Sequence, residues 1–128
     1  MRVLLDTHTL IWWALDLNKL SKAARRTITD FDNEIFVSAA TAWEITTKFR
    51  LGKLPEAEPL VRSIADSVRK LNFVELSVSV DHAARAGLMA GSHKDPFDRL
   101  LIAQSLEEDL PLVSNETAFD LYHIDRIW

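Results

Sequence analysis

Short apolar runs alternate along the chain with longer stretches in which apolar residues recur every three or four positions. The short runs predict buried strands, and the longer stretches predict amphipathic helices. The predicted strands cover residues 2–5, 34–37, 73–78, 112–113 and, at an edge, 124–128. The predicted helices cover residues 10–15, a segment capped by Ser21, 38–51, a single helix from Pro59 to Leu71, a segment capped by Ser79, and 96–108.

This alternation of strands and helices predicts parallel strand pairing with helices on both faces of the sheet. The expected fold class is therefore an α/β sandwich with a small central sheet. No linker or repeat interrupts the sequence, so we expect residues 1–128 to form one domain. Ligands of such sheets collect at the carboxyl ends of the strands, and this edge is where chemistry is expected.

Composition narrows the classes of function. The chain has 128 residues, of which 48% are hydrophobic and 27% charged, values typical of a globular protein. It contains no cysteine, which excludes disulfides, thiolate zinc sites and cysteine nucleophiles. No apolar run approaches the ~20 residues of a membrane helix, and no secretory signal is present, so a cytoplasmic protein without membrane contact is expected. A net charge of −4 argues against coating nucleic acid by bulk electrostatics, but it does not exclude a metal-dependent nuclease.

Four acidic residues lie at or near the predicted ligand-binding edge: Asp6, Glu44, Asp98 and Glu116. Carboxylates that converge on one crevice repel each other and lose solvation. A divalent cation relieves both costs, and oxygen-only ligands favour Mg²⁺ or Mn²⁺. The pattern thus predicts a magnesium or manganese site.

Each acidic residue also has a purely structural interpretation. These are an Asx turn for Asp6, an i,i+4 ion pair with Lys48 for Glu44, an N-cap for Asp95, a capping box for Asp98 and a helix-start acid for Glu116. Arg99 and Lys48 are candidates either for binding phosphate or for pairing with the acids. His93 is expected to be a solvated loop histidine, with phosphate contact as the second possibility. Ser114 has no neighbouring base, which argues against a serine nucleophile.

The chain resembles the PIN-domain ribonucleases and, within them, the VapC toxins of bacterial and archaeal toxin–antitoxin pairs. The matching stretches run in the family's order through almost the whole chain. They are LLDTH at residues 4–8, VSAATAWEI at 37–45, LGKL at 51–54, HKDPFDRLLIAQ at 93–104 and LVSNE at 112–116.

The resemblance implies a three-layer α/β/α PIN-like sandwich with a mostly parallel sheet. It implies that Asp6, Glu44 and Asp98 bind the metal, and that Glu116 stands where the family usually has Asp. It places Ser114 where the family has a Ser or Thr that hydrogen-bonds within the acidic cluster. It also implies a cognate antitoxin and a homodimer.

The expected activity is Mg²⁺- or Mn²⁺-dependent hydrolysis of RNA phosphodiester bonds. Two alternatives remain open. One is a nuclease or phosphatase that acts on DNA or another phosphoester with the same metal site. The other is a catalytically silent PIN-like domain that only binds a partner.

Overall fold

Five parallel strands form the centre of the molecule in a computed structural model that describes residues 1–128. The strands are β1 (Arg2–Leu5), β2 (Glu34–Ser38), β3 (Val74–Leu76), β4 (Leu112–Val113) and β5 (Arg126–Ile127). Their order in the sheet is β3-β2-β1-β4-β5. The longest strands, β1 and β2, are adjacent and pair Val3 with Ile35 and Leu4 with Phe36.

Seven α-helices connect the strands. They are α1 (Thr7–Leu15), α2 (Lys22–Thr29), α3 (Ala39–Arg50), α4 (Glu58–Val61), α5 (Ile64–Lys70), α6 (Val80–Leu88) and α7 (Pro96–Glu108). Short 3₁₀ turns cover Leu17–Lys19, Pro55–Ala57 and Thr117–Tyr122. None of the helices has the length and apolar character needed to cross a lipid bilayer.

Successive side chains of the central strands enter two separate hydrophobic clusters. Val3 and Leu5 pack with helices α1 to α5, whereas Leu4 packs with Leu101 of α7 and with Phe119. Side chains alternate between the two faces of a strand, so both faces of the sheet are covered by apolar side chains. The molecule is therefore an α/β/α sandwich with a parallel sheet, as the sequence predicts.

Three predicted boundaries differ from the structure. The first helix begins at Thr7 rather than Leu10, because the side chain of Asp6 caps the helix by accepting from the Thr9 amide. The strand predicted at 73–78 is confined to Val74–Leu76 at the edge of the sheet, and the Ser77 carbonyl instead accepts from Gln104. The edge strand predicted at 124–128 is only Arg126–Ile127.

The single helix predicted from Pro59 to Leu71 is wrong, because the chain breaks between α4 and α5. Ser63 lies outside helical geometry at φ −140° and ψ 27°. Apolar spacing continues across the break, and Leu60, Ile64 and Val68 all reach the same cluster. A tight turn closed by the Ser63 amide and the Leu60 carbonyl reorients the chain without losing this burial.

Candidate active site

Asp6 lies directly after β1, where the strand turns into α1. One carboxylate oxygen accepts a hydrogen bond from the Thr9 amide at 2.8 Å. The other accepts from the hydroxyl of Ser114, which follows β4. Because β1 and β4 are parallel neighbours, their carboxyl ends bring these two residues together. Asp6 is thus an N-cap residue rather than the Asx-turn residue that its sequence context also allowed.

The carboxylate of Asp6 is buried, with a 6% exposed residue surface. Burial raises its pKa above the ordinary value, and the hydrogen bonds from Ser114 and Thr9 act in the opposite direction without cancelling this effect. No lysine or arginine pairs with Asp6. A buried carboxylate without a cationic partner is one that a bound cation would stabilise.

Glu44 lies in α3, which begins at the N-cap Ser38 immediately after β2. Its carboxylate is buried and accepts hydrogen bonds from the Thr7 hydroxyl and from the Lys48 ammonium. Thr7 is adjacent to Asp6, so this contact ties the start of α1 to α3. The ion pair with Lys48 that the i,i+4 spacing indicated is present.

Asp95 and Asp98 lie at the start of α7. Asp95 is its N-cap and accepts from the amides of Phe97 and Asp98, which confirms the predicted structural role. Its second carboxylate oxygen lies 3.1 Å from the Lys48 ammonium. One carboxylate oxygen from each of Glu44, Asp95 and Asp98 lies within 4.8 Å of the others. We call these three residues the helix group.

Charge within the helix group is only partly balanced. Burial raises the pKa of Asp98 to about 6, and the neighbouring Asp95 and Glu44 add to the increase, whereas His93 opposes it. The pKa of Asp95 is lowered, because its hydrogen bonds from the Asp98 amide and Lys48 outweigh its burial. Lys48, also partly buried, has its pKa raised by Glu44 and Asp95. Lys48 thus pairs with two of the three carboxylates, and Asp98 has no lysine or arginine partner.

His93 contacts this group, which corrects its expected role as a solvated loop residue. Its Nε2 lies 2.7 Å from a carboxylate oxygen of Asp98. The loop is held in place from outside, since the Tyr122 hydroxyl accepts from the His93 amide at 3.2 Å. Asp98 therefore bonds to His93 and forms no capping box with Asp95.

Neither role considered for Arg99 describes its contacts. Its guanidinium donates to the main-chain carbonyls of Ala86, Met89 and His93, and it pairs with no acid. These bonds fasten the segment between α6 and α7 to the body of the molecule. Arg99 is thus a scaffold residue, whereas Lys48 is the cation that pairs with the acids.

Glu116 follows β4 and lies outside the helix group. Its residue is exposed, and its carboxylate makes no hydrogen bond or ion pair. Its amide donates to the Ser114 hydroxyl at 3.0 Å, so the main chain, rather than the carboxylate, is tied to Asp6. Glu116 stays a predicted ligand that the structure does not bring into the helix group.

Sequence reasoning missed the participation of Thr7 and placed Asp95 outside the acidic cluster. Asp95 and Asp98 are three residues apart at the start of one helix, a spacing that puts both on one face. Thr7 directly follows the first predicted ligand. Both spacings are visible in the sequence. Neither of them shows that Glu44 of α3 lies next to Thr7, Asp95 and Asp98 in the fold.

The model of the family described as PIN domain matches residues 3–125. The chain belongs to the PIN-domain family. It is 30% identical to Ribonuclease VapC22 of Mycobacterium tuberculosis over 114 residues, which cover 89% of this chain and 86% of the relative. It is 43% identical to Ribonuclease VapC16 of the same organism over 60 residues, 47% of this chain, and this match spans only 43% of VapC16.

Solved structures share the fold at low sequence identity. One similar chain belongs to the crystal structure of VapBC2 from Rickettsia felis bound to a DNA fragment from the VapBC2 promoter. Its TM-score is 0.71 at 16% identity, and the match covers 98% of this chain and 97% of that one. A toxin–antitoxin complex from Klebsiella pneumoniae contains a chain with a TM-score of 0.55 and 19% identity, covering 90% of this chain and 87% of that one.

Proposed function

We propose that this protein is a metal-dependent endoribonuclease and the toxin of a toxin–antitoxin pair. In this proposal residues 1–128 act as a single PIN-like domain in the cytoplasm. The observation that carries it is the helix group, which lies with Asp6 at the carboxyl edge of a parallel sheet in a PIN-domain chain. The curated relatives named ribonucleases support RNA as the substrate.

The donor set fits a hard divalent cation. Every candidate ligand is a carboxylate, and the helix group contains neither sulfur nor histidine. Oxygen ligands of this kind suit Mg²⁺ or Mn²⁺ rather than zinc or copper. Burial is the main cause of the raised pKa of Asp98, and the negative charges of Asp95 and Glu44 add to it; a bound cation would offset both effects.

The residues that would hold the ion are Asp6, Glu44 and Asp98, with Asp95 beside them; Glu116, the fourth ligand that the family resemblance implies, lies apart from this group. When bound, a divalent ion supplies polarisation of a phosphoryl oxygen and a bound water of lowered pKa. The protein's own contribution is to fix the ligands. Ser114 and the Thr9 amide orient Asp6.

Two side chains position Glu44 and divide its carboxylate between them. Thr7 bonds one oxygen of Glu44, while Lys48 bonds the other and also reaches Asp95. Lys48 is therefore placed to balance the charge of these two acids, and its ammonium is the cation that a phosphate bound beside them would meet.

The partners in this proposal are an RNA substrate, a cognate antitoxin and a second copy of the chain. The antitoxin is supported by the likeness of this fold to a chain of a toxin–antitoxin complex. The homodimer rests on the family resemblance alone.

A substrate panel tests the proposal. The purified chain is incubated with end-labelled single-stranded RNA, with DNA of the same sequence and with p-nitrophenyl phosphate, each in Mg²⁺, Mn²⁺ or EDTA. We expect internal cleavage of RNA that requires the ion and stops in EDTA. Preferential cleavage of DNA or of the monoester would instead support the phosphoesterase alternative.

A silent partner-binding domain predicts a different pattern. In that case no substrate is cleaved with either ion, although the chain is folded. Circular dichroism and a cooperative melt establish folding, so an inactive but folded chain would contradict the ribonuclease proposal.

A further inference from the structure

Trp43 is an exposed aromatic residue at the rim of the candidate active site. It lies in α3 directly before the buried Glu44, yet 57% of its own surface is exposed. The other three tryptophans are half-buried and pack against the larger hydrophobic cluster. Trp43 thus exposes a large apolar surface to water beside the acids. The packing of the hydrophobic core does not explain this exposure.

The indole is held in place rather than mobile on the surface. It packs edge-to-face against Phe97, with ring centroids 4.8 Å apart and an interplanar angle of 77°. Phe97 lies in α7 between Asp95 and Asp98. Trp43 is therefore braced between the two helices that carry the helix group. A fixed ring loses little conformational entropy when a ligand packs on it.

Unpaired cations lie on the same side of the molecule. A groove of about 500 Å³ between α3 and the α4–α5 turn is lined by Trp43, Thr46 and Arg62 among others. Arg62 is exposed and makes no ion pair or side-chain hydrogen bond, and the same is true of Arg50. Arg50 follows Trp43 by seven residues, which places it on the same helix face about 10 Å away.

We infer that Trp43, with Arg62 and Arg50, forms a binding surface for single-stranded RNA. One base stacks on the indole, and the arginines contact the phosphates on either side. This inference rests on the proposed function, because it extends the same site to the nucleotides that flank the cleaved bond. Trp43 packs on Phe97, which lies between Asp95 and Asp98, so the indole lies beside the helix group, where a nucleotide that flanks the cleaved bond would bind.

The chemistry of the surface favours a nucleic acid over a second protein chain. Aromatic rings and unpaired arginines are the components of single-strand binding, since every base has a face that stacks and every linkage carries a negative charge. The protein as a whole has a net charge of −4, so unpaired cations beside an acidic site are a local feature. Tryptophan and arginine are enriched in protein interfaces as well, so a second copy of the chain is the competing occupant.

Binding without cleavage tests this surface. A fluorescein-labelled single-stranded RNA of mixed sequence is titrated with the full chain in EDTA at low salt, and anisotropy gives the Kd. We expect Trp43→Leu to weaken binding about tenfold or more, because leucine keeps an apolar contact to Phe97 but cannot stack on a base. Trp43→Phe should recover most of the affinity. Arg62→Ala should lower the slope of log Kd against log salt by about one.

Phe31→Ala is the matched control, because Phe31 is a fully exposed aromatic residue that precedes β2, at the opposite edge of the sheet. It should bind RNA like the wild type, and melts confirm that all variants are folded. Equal affinities for wild type, Trp43→Leu and Trp43→Phe would overturn the inference, as would a wild type that binds no RNA. Conversion of a dimer to a monomer by Trp43→Leu, with RNA affinity unchanged, would show that the surface contacts a second copy instead.

The two proposals can fail separately. Wild type that binds RNA through Trp43 but cleaves nothing in Mg²⁺ or Mn²⁺ would contradict the ribonuclease proposal and support this surface. If the wild type cleaves RNA and Trp43→Leu leaves the KM unchanged, the result would support the ribonuclease proposal and contradict this binding surface.

Discussion

Asp6 and the helix group differ in how their buried negative charge is stabilised. The carboxylate of Asp6 accepts hydrogen bonds only from neutral donors, the Ser114 hydroxyl and the Thr9 amide, and has no cationic partner. The helix group, by contrast, contains three carboxylates in contact with Lys48 and His93. We call Asp6 with its partner Ser114 the strand side, because these residues follow β1 and β4.

This difference shows that hydrogen bonds position the carboxylate on the strand side, whereas an ion pair balances the charge of the helix group. The strand side is fixed by hydrogen bonds from neutral donors, which hold Asp6 in place without an ion. The helix group depends on Lys48 for its balance, and a divalent ion would compete with that lysine for Glu44 and Asp95. We therefore expect changes on the strand side to alter activity, and changes in the helix group to alter both activity and stability.

The largest expected effect is that of Asp6→Asn on RNA cleavage. The amide retains the shape of the carboxylate and its bond from the Thr9 amide, but it removes the negative charge that an ion requires. We expect cleavage to fall by about a hundredfold or more, since loss even of a residue that supports a metal ligand typically costs 10–100-fold. Initial rates at equal concentrations of folded wild type and variant give the result.

Because Asp6 caps α1, a loss of activity through unfolding must be excluded. The melting temperature of Asp6→Asn in EDTA should stay close to that of the wild type. A variant that keeps full activity would show that the strand side does not participate in catalysis.

Lys48→Met should destabilise the metal-free protein by about 2–3 kcal/mol. The variant leaves the buried Glu44 without its cation, and an unpaired buried charge is costly. Urea unfolding in EDTA measures the loss. Adding Mn²⁺ should recover much of it, because the ion replaces the missing positive charge. An unchanged free energy of unfolding in EDTA would mean that Lys48 does not balance this group.

Asp98→Asn should instead increase the free energy of unfolding of the metal-free protein at neutral pH. The folded-state pKa of Asp98 is raised from 3.8 to about 6, so the folded protein holds this proton more tightly than the unfolded chain. The resulting stabilisation is present below about pH 4 and is lost as the pH rises through 6. At pH 7.5 the ionised group costs about 2 kcal/mol, allowing for its partial exposure to solvent.

Asparagine removes this cost, so Asp98→Asn should be more stable than wild type at pH 7.5 in EDTA, and its stability should vary less between pH 4 and 7. Urea unfolding at several pH values decides the matter. A clear loss of stability at neutral pH would indicate that Asp98 serves the helix dipole of α7 instead.

Glu116→Gln should have the smallest effect. Its carboxylate is exposed and contacts neither Asp6 nor the helix group. Cleavage should change by no more than about threefold, because an exposed group of this kind adds little to a site it does not touch. A loss as large as that of Asp6→Asn would show that Glu116 moves into the site when an ion binds.

The strand side was accessible to sequence reasoning, and the helix group was less so. A short apolar run that ends in Asp6 predicts a strand end, and parallel pairing brings other strand ends to the same edge. The position of Glu44 relative to Asp98 depends instead on how α3 and α7 pack, which no local pattern encodes. The family resemblance supplied that pairing.

The errors have the same origin. Arg99 carries a charge suited to phosphate, but the carbonyls that surround it belong to a loop whose path is set by tertiary contacts. Apolar spacing ran unbroken past Ser63 and concealed the turn between α4 and α5. In each case the residue's type was informative, and its partner was determined by the fold.

Calorimetric titration of Mn²⁺ tests the central claim that the strand side and the helix group hold one ion together. Wild type should bind Mn²⁺, and Asp6→Asn and Glu44→Gln should each weaken that binding strongly while remaining folded. If Asp6→Asn binds Mn²⁺ like the wild type and only changes within the helix group weaken the binding, the ion site excludes Asp6, and the strand side and the helix group do not share an ion.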